Sequence, residues 1–329
     1  MRGHLSWSSR IATFARVGLL VTIFAEAQNF AHAGTSYLDS WQDLIPRGES
    51  LGGVAAGNGQ IVALGGNEEL LTATNSGNWD RGILPAAYFV SDAVYGNGRF
   101  LAIGGVGGPT NQVGLAMTST NGFDWTTNVT GPSWLAGCAF GNGMFVAVGN
   151  STLLSSPDGV NWTSRVSTNV LGIYGVDFVG DHFLAIGRAG LMMTSLDGIH
   201  WSAPTTDGGT DLYAAASGNG TTVIVGDYER IKIISATNSS EHPAVDDVKF
   251  HDVAYGNGRF VAVGTVFAFG IIYTSTNGFD WDYTIFGETY MLNRIVFPNG
   301  EFIVVGEHGT ILSSTDLPQV MPRRPCPGS

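Results

Sequence analysis

The sequence predicts an all-β fold, a ring of seven four-stranded blades, and three observations carry that prediction. The first is glycine: 47 Gly in 329 residues, without a collagen period, demand many tight turns and leave little room for long helices. The second is an internal repeat, the signature of an array built from one supersecondary unit. Val94-Tyr95-Gly96-Asn97-Gly98-Arg99-Phe100-Leu101-Ala102-Ile103-Gly104 returns as Ala254-Tyr255-Gly256-Asn257-Gly258-Arg259-Phe260-Val261-Ala262-Val263-Gly264. Weaker copies centre on Asn58, Asn142, Asp181, Asn219 and Asn299, giving seven turns at intervals of 39, 45, 39, 38, 38 and 42 residues. The third is the form of each copy. An apolar run enters an Asn-Gly-type pair and leaves as an alternating apolar run, the strongest local signal for a hairpin with a primed turn. About 40 residues and four strands per unit, seven times over, describe a β-propeller.

Along the chain, residues 1–33 read as an export signal. Arg2, Arg10 and Arg16 precede an apolar run at 17–25, and small-residue cleavage sites follow at Ala25-Glu26-Ala27 and Ala31-His32-Ala33. The run is too short to span a bilayer. Cleavage after Ala33 leaves 12 basic and 26 acidic side chains, a net charge of −14 against −12 for the whole chain. So little cationic surface argues against nucleic acid as a partner. The expected product is secreted, periplasmic or at the cell surface, monomeric, and without a membrane span once the signal is gone. Residues 34–318 hold the propeller and 319–329 a disordered tail. Cys138 and Cys326 could pair outside the cytoplasm, but Cys326 lies in that tail, and two unpaired thiols are expected.

The first unit opens with Trp41, 17 residues before Asn58, the same interval that separates Trp125 from Asn142. The last unit reaches Ser313-Ser314-Thr315-Asp316 and stops at Leu317-Pro318 without a tryptophan strand. Segment 37–46 should therefore add as the outer strand of the last blade, closing the ring and removing an open seam. Unit five departs from the pattern: it has no tryptophan, and a polar excursion runs from Glu241 to Lys249.

A second hairpin follows in most units. It reads Ser119-Thr120-Asn121-Gly122-Phe123-Asp124-Trp125, Ser156-Pro157-Asp158-Gly159-Val160-Asn161-Trp162, Ser195-Leu196-Asp197-Gly198-Ile199-His200-Trp201 and Ser275-Thr276-Asn277-Gly278-Phe279-Asp280-Trp281. The short Asp or Asn side chain can bond its own turn, Gly supplies a positive φ, and Trp packs between sheets. The element resembles the Asp box of sialidase-type propellers, with one residue fewer between Asp and Gly. Recurrence marks these residues as structural, since a reaction centre has no use for four copies.

Strand alternation puts the connections entering the inner strands on one face with those between second and third strands. The resemblance implies ligand binding there, near the central channel. Residues that break the repeat in those connections are therefore the candidates. Glu229, Glu307, Asp252 and Glu68 are candidate catalytic carboxyls, because paired acids with separated pKa values perform glycoside hydrolysis. Tyr228, Trp134 and Tyr213 could stack on sugar rings, while Arg230, Arg188 and Arg294 could fix a carboxylate or hydroxyl. His251 and His308 complete the substrate-binding set, and either could serve a lyase as base.

No metal cluster, nucleophile elbow, phosphate loop or dinucleotide fingerprint stands in the sequence, and no cofactor is expected. The glycines at 104–108 read as a flexible loop between strands. The Arg-Ile-Pro motif of sialidases is missing, since Arg47 follows Ile45-Pro46 in the reverse order. The leading expectation is a secreted glycoside hydrolase acting on poly- or oligosaccharide. Its rivals are a non-catalytic glycan- or protein-binding propeller of the envelope and a polysaccharide lyase using His and Tyr. An assembly factor similar to the propeller that helps build photosystem II ranks last for want of arginines.

Overall fold

The computed structural model describes residues 41–43, 48–85, 89–107, 113–131, 133–165, 172–228, 230–235, 239–242, 248–285 and 290–314. All belong to the unit Ser40–Leu317. They form seven antiparallel sheets. The inner strands, which number the blades 1 to 7, are Leu51–Gly57, Phe89–Gly96, Gly137–Gly141, Ile173–Val179, Leu212–Gly218, Val248–Gly256 and Leu292–Val296. Each lies against the inner strands of its two neighbours, and blade 7 meets blade 1, so the ring is closed. Closure is by the N-terminal strand as expected: Trp41, Gln42 and Asp43 pair antiparallel with Ser314, Ser313 and Leu312.

Six of the seven first hairpins turn through Asn-Gly or its equivalent with both residues at positive φ, as at Asn58 (50°) and Gly59 (73°). The fourth turn differs. Val179 pairs with His182, so its first central residue is Gly180, at 65°, and not Asp181. Blade 4 also has only three full strands, with the single bridge Met192–Thr205 in place of a fourth. Beyond that bridge the pairing is irregular: the Thr194 N–H donates to Ser202 Oγ at 3.0 Å, not to a backbone carbonyl. Blade 5 does have its fourth strand, Ser239–His242, so the polar excursion begins in a strand and ends in the inner strand of blade 6.

The core is divided into layers between blades. Trp125, Trp162, Trp201, Trp281, Trp41 and Trp79 each pack against a different apolar cluster shared by two adjacent blades. The layer between blades 4 and 5 has no tryptophan and is flanked by Met192 instead. That layer is where unit five lost its Trp.

Two sets of close approaches explain the repeat itself. A Cβ on Gly57, Gly96, Gly141, Gly218 or Gly256 would fall 2.0–2.3 Å from the ring of Tyr95, Phe140, Phe178, Tyr255 or Phe297 in the next blade. Where Val179 replaces that glycine, blade 5 offers only Ser217. The second set lies at or near the end of each second strand: a Cβ on Gly65, Gly104, Gly149, Gly187, Gly226, Gly264 or Gly306 would lie 1.9–2.5 Å from a carbonyl oxygen at or just before the start of the inner strand. Gly104 and Gly105 are thus strand residues, inside Arg99–Val106, and the loop expected at 104–108 does not begin there.

Candidate functional site

In every blade but the third, those carbonyls stand two residues before a β-bulge. In blades 1, 2, 4, 5, 6 and 7 the pairing of inner and second strands skips one residue, at Gly52, Ser91, Tyr174, Tyr213, His251 and Asn293. A bulge re-aims a side chain and sharpens the bend of its strand. Here the six skipped residues, with Arg294, line one cavity of about 260 Å³ at the channel mouth. The next register position faces the channel itself: Gly53, Asp92, Gly137, Gly175, Ala214, Asp252 and Arg294 all pair at one level with the second strands. Of these, Asp92, Gly137, Gly175, Ala214, Asp252 and Arg294 line a deeper cavity, also about 260 Å³.

Arg294 spans that channel. Its Nε donates to Asp92 Oδ1 at 3.1 Å and its Nη2 to the Ala136 carbonyl at 3.2 Å, while Nη1 donates to the Asn293 carbonyl at 3.1 Å. The side chain starts in blade 7 and ends on blades 2 and 3, passing blade 1, where the equivalent residue is Gly53. Burial opposes its charge, yet Asp92 and Asp252 outweigh burial and hold its pKa above the ordinary value.

Three carboxyls stitch blades together from inside. Asp92 Oδ2 accepts the Cys138 N–H at 2.9 Å, Asp252 Oδ2 the Ile295 N–H at 2.9 Å, and Asp177 Oδ2 the Ala215 N–H at 2.8 Å. Each donor belongs to the next inner strand, and the three donors share one register, one residue beyond the channel-facing level, so each carboxyl satisfies an amide that its own sheet leaves unpaired. Burial pushes Asp252 up to about 7 and Asp177 well above the usual carboxylate range, with Asp92 and Asp252 respectively adding repulsion. Burial also raises the Cys138 thiol, so this cysteine is an inert core residue. Cys326 lies outside the described residues.

At the mouth, His251 Nδ1 lies 2.9 Å from the Leu292 carbonyl. A carbonyl only accepts, so Nδ1 carries the proton and Nε2 is left as an acceptor. Burial lowers the His251 pKa to about 4, and Lys249 and Arg294 contribute in the same direction. The Tyr213 hydroxyl donates to Asp227 Oδ2 at 2.8 Å and accepts from Lys249 Nζ at 3.2 Å, with that ammonium 4.6 Å above the ring. Burial and then Asp227 raise the phenol's pKa, so it keeps its proton. Tyr174 stacks on Tyr213 at 5.8 Å between centroids. Across the mouth, Trp134 Nε1 donates to Ser91 Oγ at 2.7 Å, and its ring lies 5.8 Å from the exposed Phe89.

The expected site residues therefore divide. Asp252, Arg294, Tyr213 and His251 come together on the channel, and Trp134 borders it; all but Trp134 lie within inner strands, where connections were expected. Glu68, Arg188, Tyr228, Glu307 and His308 occupy turns between second and third strands and line neither cavity. Glu68 and Tyr228 are exposed at left-handed φ of 70° and 55°. Glu307 accepts the Met291 N–H at 3.3 Å, and His308 is exposed with an edge contact to Tyr290. Arg230 is buried, clamped to the Asp207 carboxylate and to the Thr210 carbonyl at 2.8 Å, where it braces the connection entering blade 5. Glu229 lies outside the described residues. Ser91 and Asn293 are the mouth residues that sequence reasoning missed; their signal is position, four residues before Tyr95 and Phe297.

No protein-family model matches the chain, and no curated protein matches it. Solved structures do. A catalytically inactive variant of virginiamycin B lyase from Staphylococcus aureus, with quinupristin, has a TM-score of 0.69 at 12% identity, covering 83% of this chain and 98% of its own. YCF48 bound to D1 peptide has a TM-score of 0.63 at 18% identity, covering 84% and 96%. The WD40 propeller domain of Doa1 has a TM-score of 0.66 at 11% identity, covering 84% and 96%. At these identities the likeness shows the propeller fold and nothing finer.

Proposed function

We propose that this chain is a binding propeller, acting outside the cytoplasm, that holds its ligand at the channel mouth without transforming it. One observation carries the reading: a bulge repeated in six blades brings Gly52, Ser91, Tyr174, Tyr213, His251 and Asn293 to a single cavity. The export signal read at residues 1–33 supports the location. The fold is compatible with such a role, since the similar YCF48 structure is bound to D1 peptide.

Glycoside hydrolysis fits less well. It needs two carboxyls facing each other across open space. Both oxygens of Asp92 and of Asp252 already accept hydrogen bonds, and Glu68 and Glu307 stand elsewhere. Elimination by a His–Tyr pair has one point in its favour, that His251 and Tyr213 share the mouth with Nε2 as an acceptor. A base with pKa about 4 removes a carbon-bound proton slowly, which keeps this reading second.

Glycan and peptide arrays probed with the purified protein test the proposal. Ser91→Tyr is the control that blocks the mouth, since tyrosine already occupies the same bulge position in blades 4 and 5. Binding that Ser91→Tyr weakens at least about tenfold, with an unchanged melting temperature, is expected. Binding indifferent to that change would overturn the reading, and unsaturated products lost on His251→Ala would replace it with elimination.

A further inference from the structure

The mouth has chemistry specific enough to name a ligand class, and the inference rests on the binding reading above. Its hydrogen-bonding capacity is only partly engaged. His251 Nε2 has a lone pair with no partner among the described residues, because the proton sits on Nδ1 facing Leu292. Asn293 donates its Nδ2 to the Leu51 carbonyl at 2.8 Å, which leaves Oδ1 as an acceptor. Ser91 Oγ accepts from Trp134 and keeps its own proton to donate. The Tyr174 hydroxyl makes no hydrogen bond among the described residues. A ligand seated here must bring several donors and acceptors on one small body.

Charge is already matched. Arg294, the one cation among the described residues lining the mouth, holds Asp92 and two carbonyls, and Lys249 holds Asp227. The channel carboxyls hold backbone amides. Among the described residues of the mouth, neither an anionic nor a cationic ligand finds an open counter-charge, and desolvating either without one is unfavourable.

Shape narrows the class further. Blades 4 and 5 contribute the stacked rings of Tyr174 and Tyr213, while blades 1 and 2 contribute only Gly52 and Ser91, so an aromatic wall faces a small-residue wall. A ring with an apolar C–H face and a polar rim suits that pair. The cavity of about 260 Å³ lies just below the range usual for drug-sized ligands and takes one such ring. Residues converging from blades around one axis enclose the end of a chain, not its middle. A peptide strand would instead seek an open strand edge, and on blades 3, 5 and 7 the inner-edge amides of Cys138, Ala215 and Ile295 are taken by Asp side chains.

We propose that the channel mouth holds the terminal, uncharged pyranose unit of a glycan, stacked against the Tyr174–Tyr213 pair and hydrogen-bonded to His251 Nε2, Asn293 Oδ1 and the Ser91 and Tyr174 hydroxyls. The test is calorimetry and saturation-transfer NMR on the purified protein. The probes are the methyl glycosides of glucose, galactose, mannose and N-acetylglucosamine, beside glucuronic acid and a blocked tetra-alanine peptide. At least one neutral glycoside should bind. Its affinity should fall about tenfold in Tyr174→Phe, the effect of one lost hydrogen bond, and about as much in Ser91→Tyr, with the melting temperature of each variant as the folding control.

Preference for the peptide or for glucuronic acid, abolished by Ser91→Tyr, would overturn the ligand class and leave the mouth as the binding site. Glycoside binding unmoved by either variant would overturn the mouth itself. Absence of binding to any glycoside would overturn this proposal, while the arrays decide the binding reading separately.

Discussion

The two ends of the same strands follow opposite rules. On the face of the tryptophan hairpins, four blades build one structure four times. Asn121, Asp158, Asp197 and Asn277 each accept two backbone N–H groups, two and three residues on, at 2.8–2.9 Å. The tryptophan of each returns its Nε1–H to the Gly carbonyl at 2.9–3.2 Å. At the channel mouth, six equivalent bulge positions hold Gly52, Ser91, Tyr174, Tyr213, His251 and Asn293, no two alike except the tyrosines. Identical surroundings with identical residues indicate a structural task. Identical backbone with different residues indicates a site, because the bulge is retained while its side chain varies.

The comparison is broken most severely by removing the bulge's steric condition. Gly264→Val would put a Cβ 2.0 Å from the Lys249 carbonyl oxygen, two residues before His251. A loss of about 3 kcal/mol or more is expected in denaturant unfolding, from backbone overlap that no rotamer relieves. Retention of wild-type stability would mean that the second-strand glycines do not shape the bulge.

Next in size is the pH response of the channel. The folded chain holds the Asp252 proton up to about pH 7, whereas an unfolded Asp titrates at roughly 4. Between these values the folded state binds more protons, so this group's contribution is present at low pH and is lost as pH rises through 7. Asp177 acts in the same direction. His251 works oppositely: its folded pKa of about 4 lies below the unfolded value of roughly 6.5, so its contribution falls as pH drops across that range. Subtracting Asp252→Asn from wild type over pH 4–7 isolates the first effect, and the difference should shrink as pH rises. Parallel stability curves would contradict the buried stitch.

The turn face should give smaller and more regular effects. Asp158→Ala is expected to lose about 1–2 kcal/mol, since two backbone donors lose their acceptor. Asp158→Asn should stay within about 0.5 kcal/mol, because Asn121 and Asn277 already do the same work elsewhere. The Asp158 carboxyl is held below the usual carboxylate range, the Asn161 amide being the largest cause. Equal losses for both substitutions, measured by thermal unfolding, would mean that the charge and not the acceptor matters.

Much of this was legible in the sequence, and the gaps have physical causes. The Asn-Gly and Trp repeats gave the blade count and the closure at Trp41 because local turn chemistry and a fixed spacing encode them. The missing fourth strand of blade 4 hid behind a Trp201 that fits the repeat, because the irregular pairing after it, with the Thr194 N–H on Ser202 Oγ, leaves no mark on the turn chemistry. Asp252, Arg294, Tyr213 and His251 stood out because they depart from the repeat, although they lie in inner strands and not in the connections where they were expected. Glu68 and Glu307 were grouped with them because they share a face, but that face is wide and their turns sit away from the channel cavities. Ser91 and Asn293 were missed because Ser and Asn look ordinary before a strand, and only the skipped pairing shows that they turn toward the mouth.

The contrast between faces is tested most directly by one affinity measured three times. For a ligand returned by the arrays, the dissociation constant is compared among wild type, Ser91→Tyr and Asp158→Asn. A loss of about tenfold or more in Ser91→Tyr with no change in Asp158→Asn is the predicted result. Equal affinities for all three proteins, or a loss confined to Asp158→Asn, would contradict a site at the channel mouth.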